Sequence, residues 1–416
     1  MRHVLVLAVS FPPTGGIGVI RTLKFTKYLP SFGWRPIVVT VPAGTKHIQD
    51  DSLSSEISKQ TIVHRPEFFN YKDHLPKILI KLFKPFEKRL LFPDKYVQWN
   101  RAALNYISRH ILPREKIDLI YTSVGAHSTM LLAHALKKLH HIPFLVDFRY
   151  PFSFSQYALL DQKKNYRKKA QRIEKAVFRD ADHINNISRI WKETYDNLYP
   201  EIKLRSSLIS NGYDEDDFID LGDKVENTVF TIGYNGTFSR IVPIEPLLSA
   251  IKEIHQRHNV SMRLSIATPL KKSKLGSRYE YLFQNNLIDF KGFLPHRESL
   301  KNVYQSDISA LVLGDVEATE GMVPGKTYEY LRIGNPILLI HRKNSFLAEI
   351  IENTRTGITV NIAGHDEIVQ TLLMLHERWR RHTPLPPPIQ SEIKKYEYRY
   401  QTGMLAEIFS RIAHDN

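Results

Sequence analysis

The stretch Val4–Thr40, VLVLAVSFPPTGGIGVIRTLKFTKYLPSFGWRPIVVT, decides the fold class. Val4–Val9 is a continuous apolar run of the kind that suits a strand buried on both faces. Thr14-Gly15-Gly16-Ile17-Gly18 follows as a glycine-rich turn. A helix is predicted over Ile20–Leu29, with Ile20, Leu23, Phe25 and Leu29 broadly on one side. Pro36–Val41 is a second β-branched run, so the stretch reads strand, turn, helix, strand. That order is the building unit of a parallel sheet.

The alternation continues outward. Asp118–Ser123 (DLIYTS), Pro143–Phe148 (PFLVDF) and His183–Ser188 (HINNIS) read as strands, and Ser128–Leu139 as an apolar helix. Asn211–Asn227 is polar and acidic and reads as a linker. Beyond it, strands are predicted at Val229–Tyr234, Met262–Ala267, Ile288–Phe293, Ile308–Leu313 and Pro336–His341. Ile244–His255 and Lys326–Arg332 read as helices. Pro384-Leu385-Pro386-Pro387-Pro388 interrupts the chain again. Met404, Leu405, Ile408, Phe409 and Ile412 then form a helical stripe that needs a surface to pack on. The expected architecture is α/β, with two Rossmann-like parallel-sheet domains facing a cleft. Residues 1–212 form the first domain, 213–227 a linker, and 228–383 the second. The tail 384–416 carries a helix that crosses back to the first domain. Ligands of open parallel sheets bind at the carboxyl ends of the strands, which would place a ligand between the domains.

Composition narrows the function. A chain of 416 residues, 42% hydrophobic and 24% charged, is ordinary globular material for two or three domains. It has no cysteine, which excludes disulfide scaffolds, thiolate zinc sites, cysteine nucleophiles and iron–sulfur clusters, and favours a reducing, cytoplasmic compartment. No apolar run reaches the roughly 18–20 residues that span a bilayer. The short run in MRHVLVLAVS meets Phe11-Pro12-Pro13 at once, so it reads as a buried first strand rather than a signal peptide. Lys and Arg number 58 against 43 Asp and Glu, a net charge of +15 that asks for an anionic partner. No nucleic-acid-binding motif accompanies that charge, so nucleic acid is not the expected partner.

The glycine turn brings backbone N–H groups, Gly16 among them, toward a phosphate at a helix N-terminus. A dinucleotide site is excluded: Arg21 stands where the third glycine belongs, and the second strand ends in Thr40-Val41-Pro42 without an acid for a ribose. Asp214-Glu215-Asp216 has the form of a metal–diphosphate motif but sits in the acidic linker, where a solvated loop is the plainer reading.

Val4–Thr40 resembles the opening of the retaining glycosyltransferases of family 4, which have the two-domain GT-B fold. DLIYTSVGAHS, IPFLVDFRYP, ISNGYDEDDF, Phe290–Pro295 (FKGFLP) and Pro324–Leu331 (PGKTYEYL) followed by Gly334-Asn335-Pro336-Ile337-Leu338 resemble further segments of that family, in the same order. The resemblance implies transfer of a sugar from a nucleotide-diphosphate-sugar to a hydroxyl acceptor, with retention, with no cofactor and no metal. It implies bacterial polysaccharide or glycan biosynthesis, the acceptor being a glycan or a lipid-linked glycan bound by the first domain. Glu329 would then accept bonds from the nucleotide ribose. Lys326 and Arg240 would stabilise charge on the departing diphosphate. His127, at a strand's carboxyl end, would orient the transferred sugar or the attacking hydroxyl, and Asp147 would bind acceptor hydroxyls or cap a turn. The family's first glutamate, eight positions before Glu329, is replaced by Gly321. Glu320, or the backbone N–H groups of Met322 and Val323, would hold the sugar in its place. The missing glutamate also leaves open a catalytically silent binding protein, or a sugar-nucleotide epimerase of the same fold.

Lys72–Lys116 holds eleven Lys and Arg and only four acids. Leu75, Ile78, Leu79, Leu82, Phe83 and Phe86 share one helical face, and Lys77, Lys81, Lys84 and Lys88 the other. This basic amphipathic pattern suits peripheral attachment to an anionic membrane at its inner face, or a helix packed on the first domain with an ordinary lysine surface.

Overall fold

The computed structural model describes residues 1–45, 49–69, 76, 78–82, 90–154, 164–276, 279–316 and 319–414. The chain divides into two compact units. The first is Met1–Asn211 together with Tyr398–Asn416, and the second is Gly212–Glu397.

The first unit is built on a seven-stranded sheet in the order β3-β2-β1-β4-β5-β6-β7, parallel throughout. Its strands are β1 (Arg2–Leu7), β2 (Trp34–Val39), β3 (Ile62–His64), β4 (Leu119–Val124), β5 (Phe144–Phe148), β6 (His183–Asn186) and β7 (Ser206–Leu208). Its helices are α1 (Ile17–Tyr28), α2 (Val97–Tyr106), α3 (Ser128–His140), α4 (Lys164–Asp180) and α5 (Arg189–Leu198). The continuous apolar run of β1 has a direct cause. Leu5 and Leu7 face a core completed by Trp99 and Ala103 of α2 and Met130, Ala133 and Leu136 of α3. Val4 and Val6 face a second core on the other side, made with Val19, Leu23 and Phe25 of α1.

That second core also takes in the end of the chain. Leu405, Phe409 and Ile412 of the last helix (Tyr398–His414) are buried in it, and Phe409 meets Trp34 edge to face at 5.3 Å. The apolar stripe near the carboxyl end is therefore spent on the first unit.

The second unit has a six-stranded parallel sheet in the order β10-β9-β8-β11-β12-β13. The strands are β8 (Thr231–Asn235), β9 (Arg263–Ala267), β10 (Ile288–Gly292), β11 (Ile308–Val312), β12 (Ile337–Ile340) and β13 (Gly357–Val360). The helices are α6 (Glu245–His258), α7 (Glu280–Gln284), α8 (His296–Tyr304), α9 (Lys326–Ile333), α10 (Phe346–Thr354), α11 (His365–Arg380) and α12 (Gln390–Lys394), and the chain-end helix is α13. The acidic segment after Asn211 lies in this unit. Asp214 caps a short turn by accepting from Asp216 N (3.2 Å), and Arg332 grips Glu215.

Two sheet positions depend on glycine or on brevity. At Gly357 a Cβ would stand 1.9 Å from the Ile337 carbonyl oxygen, so only glycine lets β13 close on β12. β3, β7 and β13, which sequence patterning does not single out, are three- or four-residue strands at sheet edges, too short for alternation to register.

In each sheet the strand order reverses at the first strand, between β1 and β4 and between β8 and β11. A crevice opens at such a switch point, outside the carboxyl ends of the two strands. The turns leaving β1 and β4 carry the glycine-rich turn and His127. Those leaving β8 and β11 carry Asn235-Gly236 and the approach to Lys326.

Candidate active-site residues

In the first unit, α1 starts directly behind Gly16, whose φ of +92° is readily adopted only by glycine. Arg149, one residue beyond β5, is 6% exposed and donates to the carbonyl of Gly18. A Cβ on Gly125, at the end of β4, would approach Arg149 Nη1 to 3.1 Å. One guanidinium thus lies against the glycines of both switch-point turns. Arg149 stands inside the Asp-Phe-Arg segment, yet the sequence offers nothing to separate it from a surface arginine.

His127 immediately precedes α3, and its ring stacks on Phe152 at 4.3 Å. Burial pushes its pKa down, opposed more weakly by Asp94 and by hydrogen bonds to the backbone of Tyr150 and Pro151. Among the described residues Nε2 has no hydrogen-bond partner, although it is closed off from solvent. Burial favours the neutral ring, and a neutral imidazole can accept a hydrogen bond at one of its nitrogens. The stacking partner is itself anchored. Phe152 N donates to Tyr195 Oη (2.9 Å), and buried Glu174 accepts from Ser153 N (2.9 Å), Tyr195 Oη (2.9 Å) and Tyr199 Oη (2.8 Å).

Asp147 needs correction. It is fully buried, and both its oxygens are committed inside the domain. Arg21 holds it from two nitrogens (2.7 and 2.9 Å), Asn185 donates at 2.6 Å, and the Tyr121 hydroxyl donates as well. Burial alone would push this carboxyl up, but Arg21 and the bonds from Arg21, Tyr121 and Asn185 outweigh it and hold it below the usual value. Arg21 also donates to the carbonyls of Ile209 and Ser210. The cluster ties α1 to three strands and to the stretch where the chain leaves the sheet. Asp147 is a structural anchor; no lone pair is left for an acceptor hydroxyl.

In the second unit the turn after β8 is fixed from several sides. Asn235 N donates to Tyr330 Oη (3.0 Å), and Asn235 Nδ2 donates to the Ser299 carbonyl (2.6 Å). Lys326, the first residue of α9, donates to the Asn235 carbonyl (2.6 Å) and sits 3.9 Å from the centre of the Tyr234 ring. Burial pulls its ammonium down to about 7, with Glu329 pulling weakly the other way. A Cβ on Gly236 would lie 3.7 Å from Lys326 Nζ, so the lysine tip and the glycine turn border the same space. Glu329, one helical turn on, meets His296 Nε2 at 2.8 Å. His296, Tyr330 and Asn235 belong to this site and were not foreseen; 33 residues part His296 from Glu329, so no local spacing joins them.

The remaining expected residues fall in different places. Arg240 is exposed on the loop after β8. Glu320 is engaged by Arg342, which also holds Asp315. The Met322 N–H, expected to face the sugar, closes a turn on the Thr319 carbonyl (3.1 Å), so that assignment is corrected. Val323 is buried at 7% exposure beside it. Lys77, Lys84 and Lys88 lie outside the described residues. Lys81 is exposed, next to exposed Ile78, Leu79 and Leu82.

Comparison with known proteins places these features in context. Residues 15–217 match the model of Glycosyltransferase Family 4. No match is found among curated sequences. Solved structures share the fold over both units. They include sucrose-phosphate synthase from Thermosynechococcus elongatus, at TM-score 0.69 and 14% identity with 100% of each chain covered. The catalytic domain of starch synthase IV from Arabidopsis thaliana, bound to ADP and acarbose, aligns at TM-score 0.60 and 11% identity, covering 99% of each chain. HepE from Anabaena in complex with UDP and glucose aligns at 0.54 and 12% identity, covering 100% of this chain and 99% of that one.

Proposed function

We propose, from a GT-B fold whose residues 15–217 match Glycosyltransferase Family 4, that this protein moves a sugar from a nucleotide-diphosphate-sugar to a hydroxyl acceptor. The acceptor is a glycan or a lipid-linked glycan, the transfer retains configuration, and it needs no metal. The observation that carries the reading is α9. It sets a cation, Lys326, against the switch-point turn Asn235-Gly236, and a carboxylate, Glu329, one turn farther along. The solved neighbours bound to UDP or ADP support a nucleoside diphosphate as the ligand class.

Each group then has a task. Charge grows on the diphosphate as it departs, and Lys326, beside the Gly236 turn, counters it. Glu329, steadied by His296, accepts from the ribose hydroxyls. Arg240, exposed on the loop after β8, supplies a second cation to the diphosphate. In the first unit the Gly16 turn and Arg149 present donors to anionic groups, and His127 Nε2 accepts from a sugar or acceptor hydroxyl. Where Gly321 replaces a glutamate, Glu320 and the Val323 backbone hold the sugar. The exposed Ile78, Leu79, Lys81 and Leu82 support contact with an anionic membrane surface. A catalytically silent nucleotide-binding protein is the second reading, favoured by Glu320 being drawn to Arg342. Release of nucleoside diphosphate from a donor sugar in the presence of acceptor excludes it.

Glu329→Ala tests the reading in a calorimeter. Loss of charge-assisted bonds costs about 1.5–3 kcal/mol, so binding of UDP or ADP should weaken by roughly ten- to a hundredfold. An unchanged dissociation constant removes Glu329 from the site.

Lys326 predicts a pH profile. In the free protein its ammonium is charged below about 7 and neutral above. Affinity for the nucleoside diphosphate should therefore fall as pH rises through and beyond that value. Lys326→Arg, charged throughout, should flatten the profile. Equal slopes in the two proteins would sever the link between Lys326 and the phosphates.

For the metal-free mechanism, transfer should persist in excess chelator. Activity that disappears and returns with magnesium or manganese overturns it.

A further inference from the structure

We propose that the outward face of α4, with the segment following α5, docks on an anionic lipid bilayer. Lys168, Arg172, Lys175 and Arg179 recur at spacings of four, three and four, so they form one exposed stripe. Ala170, Glu174, Val177 and Phe178 are buried on the opposite side. Arg167 and Lys169 add exposed charge at the flanks. The helix brings little to balance this. Glu174 is turned into the core, and Asp180 is shared by Arg179 and His134. Among the described residues Lys168, Arg172 and Lys175 form no ion pair. They line an open groove together with Leu198, Tyr199 and Glu201, the last its one acid. Like charges at these spacings repel along a helix, so the stripe works against the isolated fold and in favour of an anionic partner.

Apolar side chains decide the kind of partner. Leu204 is 100% exposed, and Leu198 at the groove is 37% exposed. Leu204 is not a loose tip. Its neighbour Arg205 donates to the Ala181 carbonyl and to Arg179 O (3.5 Å), at the carboxyl end of the stripe. A soluble polyanion gains nothing from a leucine held this way. A bilayer does, because lysines and arginines meet the headgroups while leucines enter the interfacial layer. The face is distinct from the exposed residues around Lys81, and the inference does not depend on the transferase reading.

Sedimentation with phosphatidylglycerol/phosphatidylcholine vesicles, against phosphatidylcholine alone, tests it. The wild type should bind only the anionic vesicles and be released by about 0.5 M salt. The triple variant K168Q/R172Q/K175Q should partition about a hundredfold less, and Leu204→Ser about tenfold less. Both should keep wild-type circular dichroism and nucleoside diphosphate affinity, which separates docking from folding and from the nucleotide site. A charge-conserving triple, K168R/R172K/K175R, should bind as wild type. The proposal is overturned if the first triple variant binds vesicles undiminished. It is also overturned if only Ile78→Ser/Lys81→Gln/Leu82→Ser abolishes binding. Leu204→Ser without effect, alongside equally tight binding to heparin, would identify a general polyanion surface instead.

Discussion

Arg21→Met should destabilise the first unit by about 3–5 kcal/mol, the usual result of leaving one partner of a buried ion pair uncompensated. The variant strands the Asp147 carboxylate, 0% exposed, and also removes the donor to the Ile209 and Ser210 carbonyls. Asp147 makes the effect pH-dependent. Its carboxyl titrates below the ordinary 3.8, so its contribution is complete above that value and is lost as pH falls through the folded one. In the variant the aspartate lacks its cation and its pKa rises; protonation then relieves the stranded buried charge, so the deficit against the wild type is largest near neutral pH and shrinks as pH falls through the raised value. Three of the four tryptophans, Trp34, Trp99 and Trp191, lie in the first unit, so their fluorescence reports its urea unfolding. Arg21→Met/Asp147→Leu should recover part of the loss, since replacing both members of such a pair by apolar groups is often near neutral. A single variant that unfolds at the wild-type midpoint would show the pair to be idle.

His127→Ala should lower turnover by about a hundredfold or more while leaving nucleoside diphosphate affinity unchanged, because binding of the nucleotide is assigned to the second unit. The expectation rests on a ring that burial keeps neutral and whose Nε2 has no partner among the described residues. A group so arranged accepts a hydrogen bond from substrate without first giving one up. Phe152→Leu is the companion variant. It removes the stack at 4.3 Å but leaves the imidazole, so a partial loss of turnover is expected. Single-turnover rates with a donor sugar and an excess of acceptor measure both. Wild-type turnover in His127→Ala would reduce this residue to the start of α3.

The uneven legibility of the site has a physical origin. Lys326 and Glu329 stand three apart on one helix behind Pro324-Gly325, so local sequence announces them. Arg149 is invisible by the same standard. Its importance comes from Gly18 and Gly125, which approach it only after β1, β4 and β5 are laid side by side. Asp147 misled for a related reason. A carboxylate near the end of a buried strand looks the same whether it faces a ligand or an arginine. Met322 misled because sequence does not say which N–H closes a turn.

The strand–helix alternation, the division into two α/β units and the need of the last helix for a surface are all legible in the chain, since they follow from periodicity and runs of apolar residues. Strand order was decided only in three dimensions, and with it the pairing of Arg21 with Asp147, 126 residues away. The same holds for Phe152 on His127 and His296 on Glu329. The reason is range. Side-chain periodicity records which face of an element meets the core, whereas hydrogen bonds and ion pairs act over a few ångströms and exist only between groups that the packed sheets bring together.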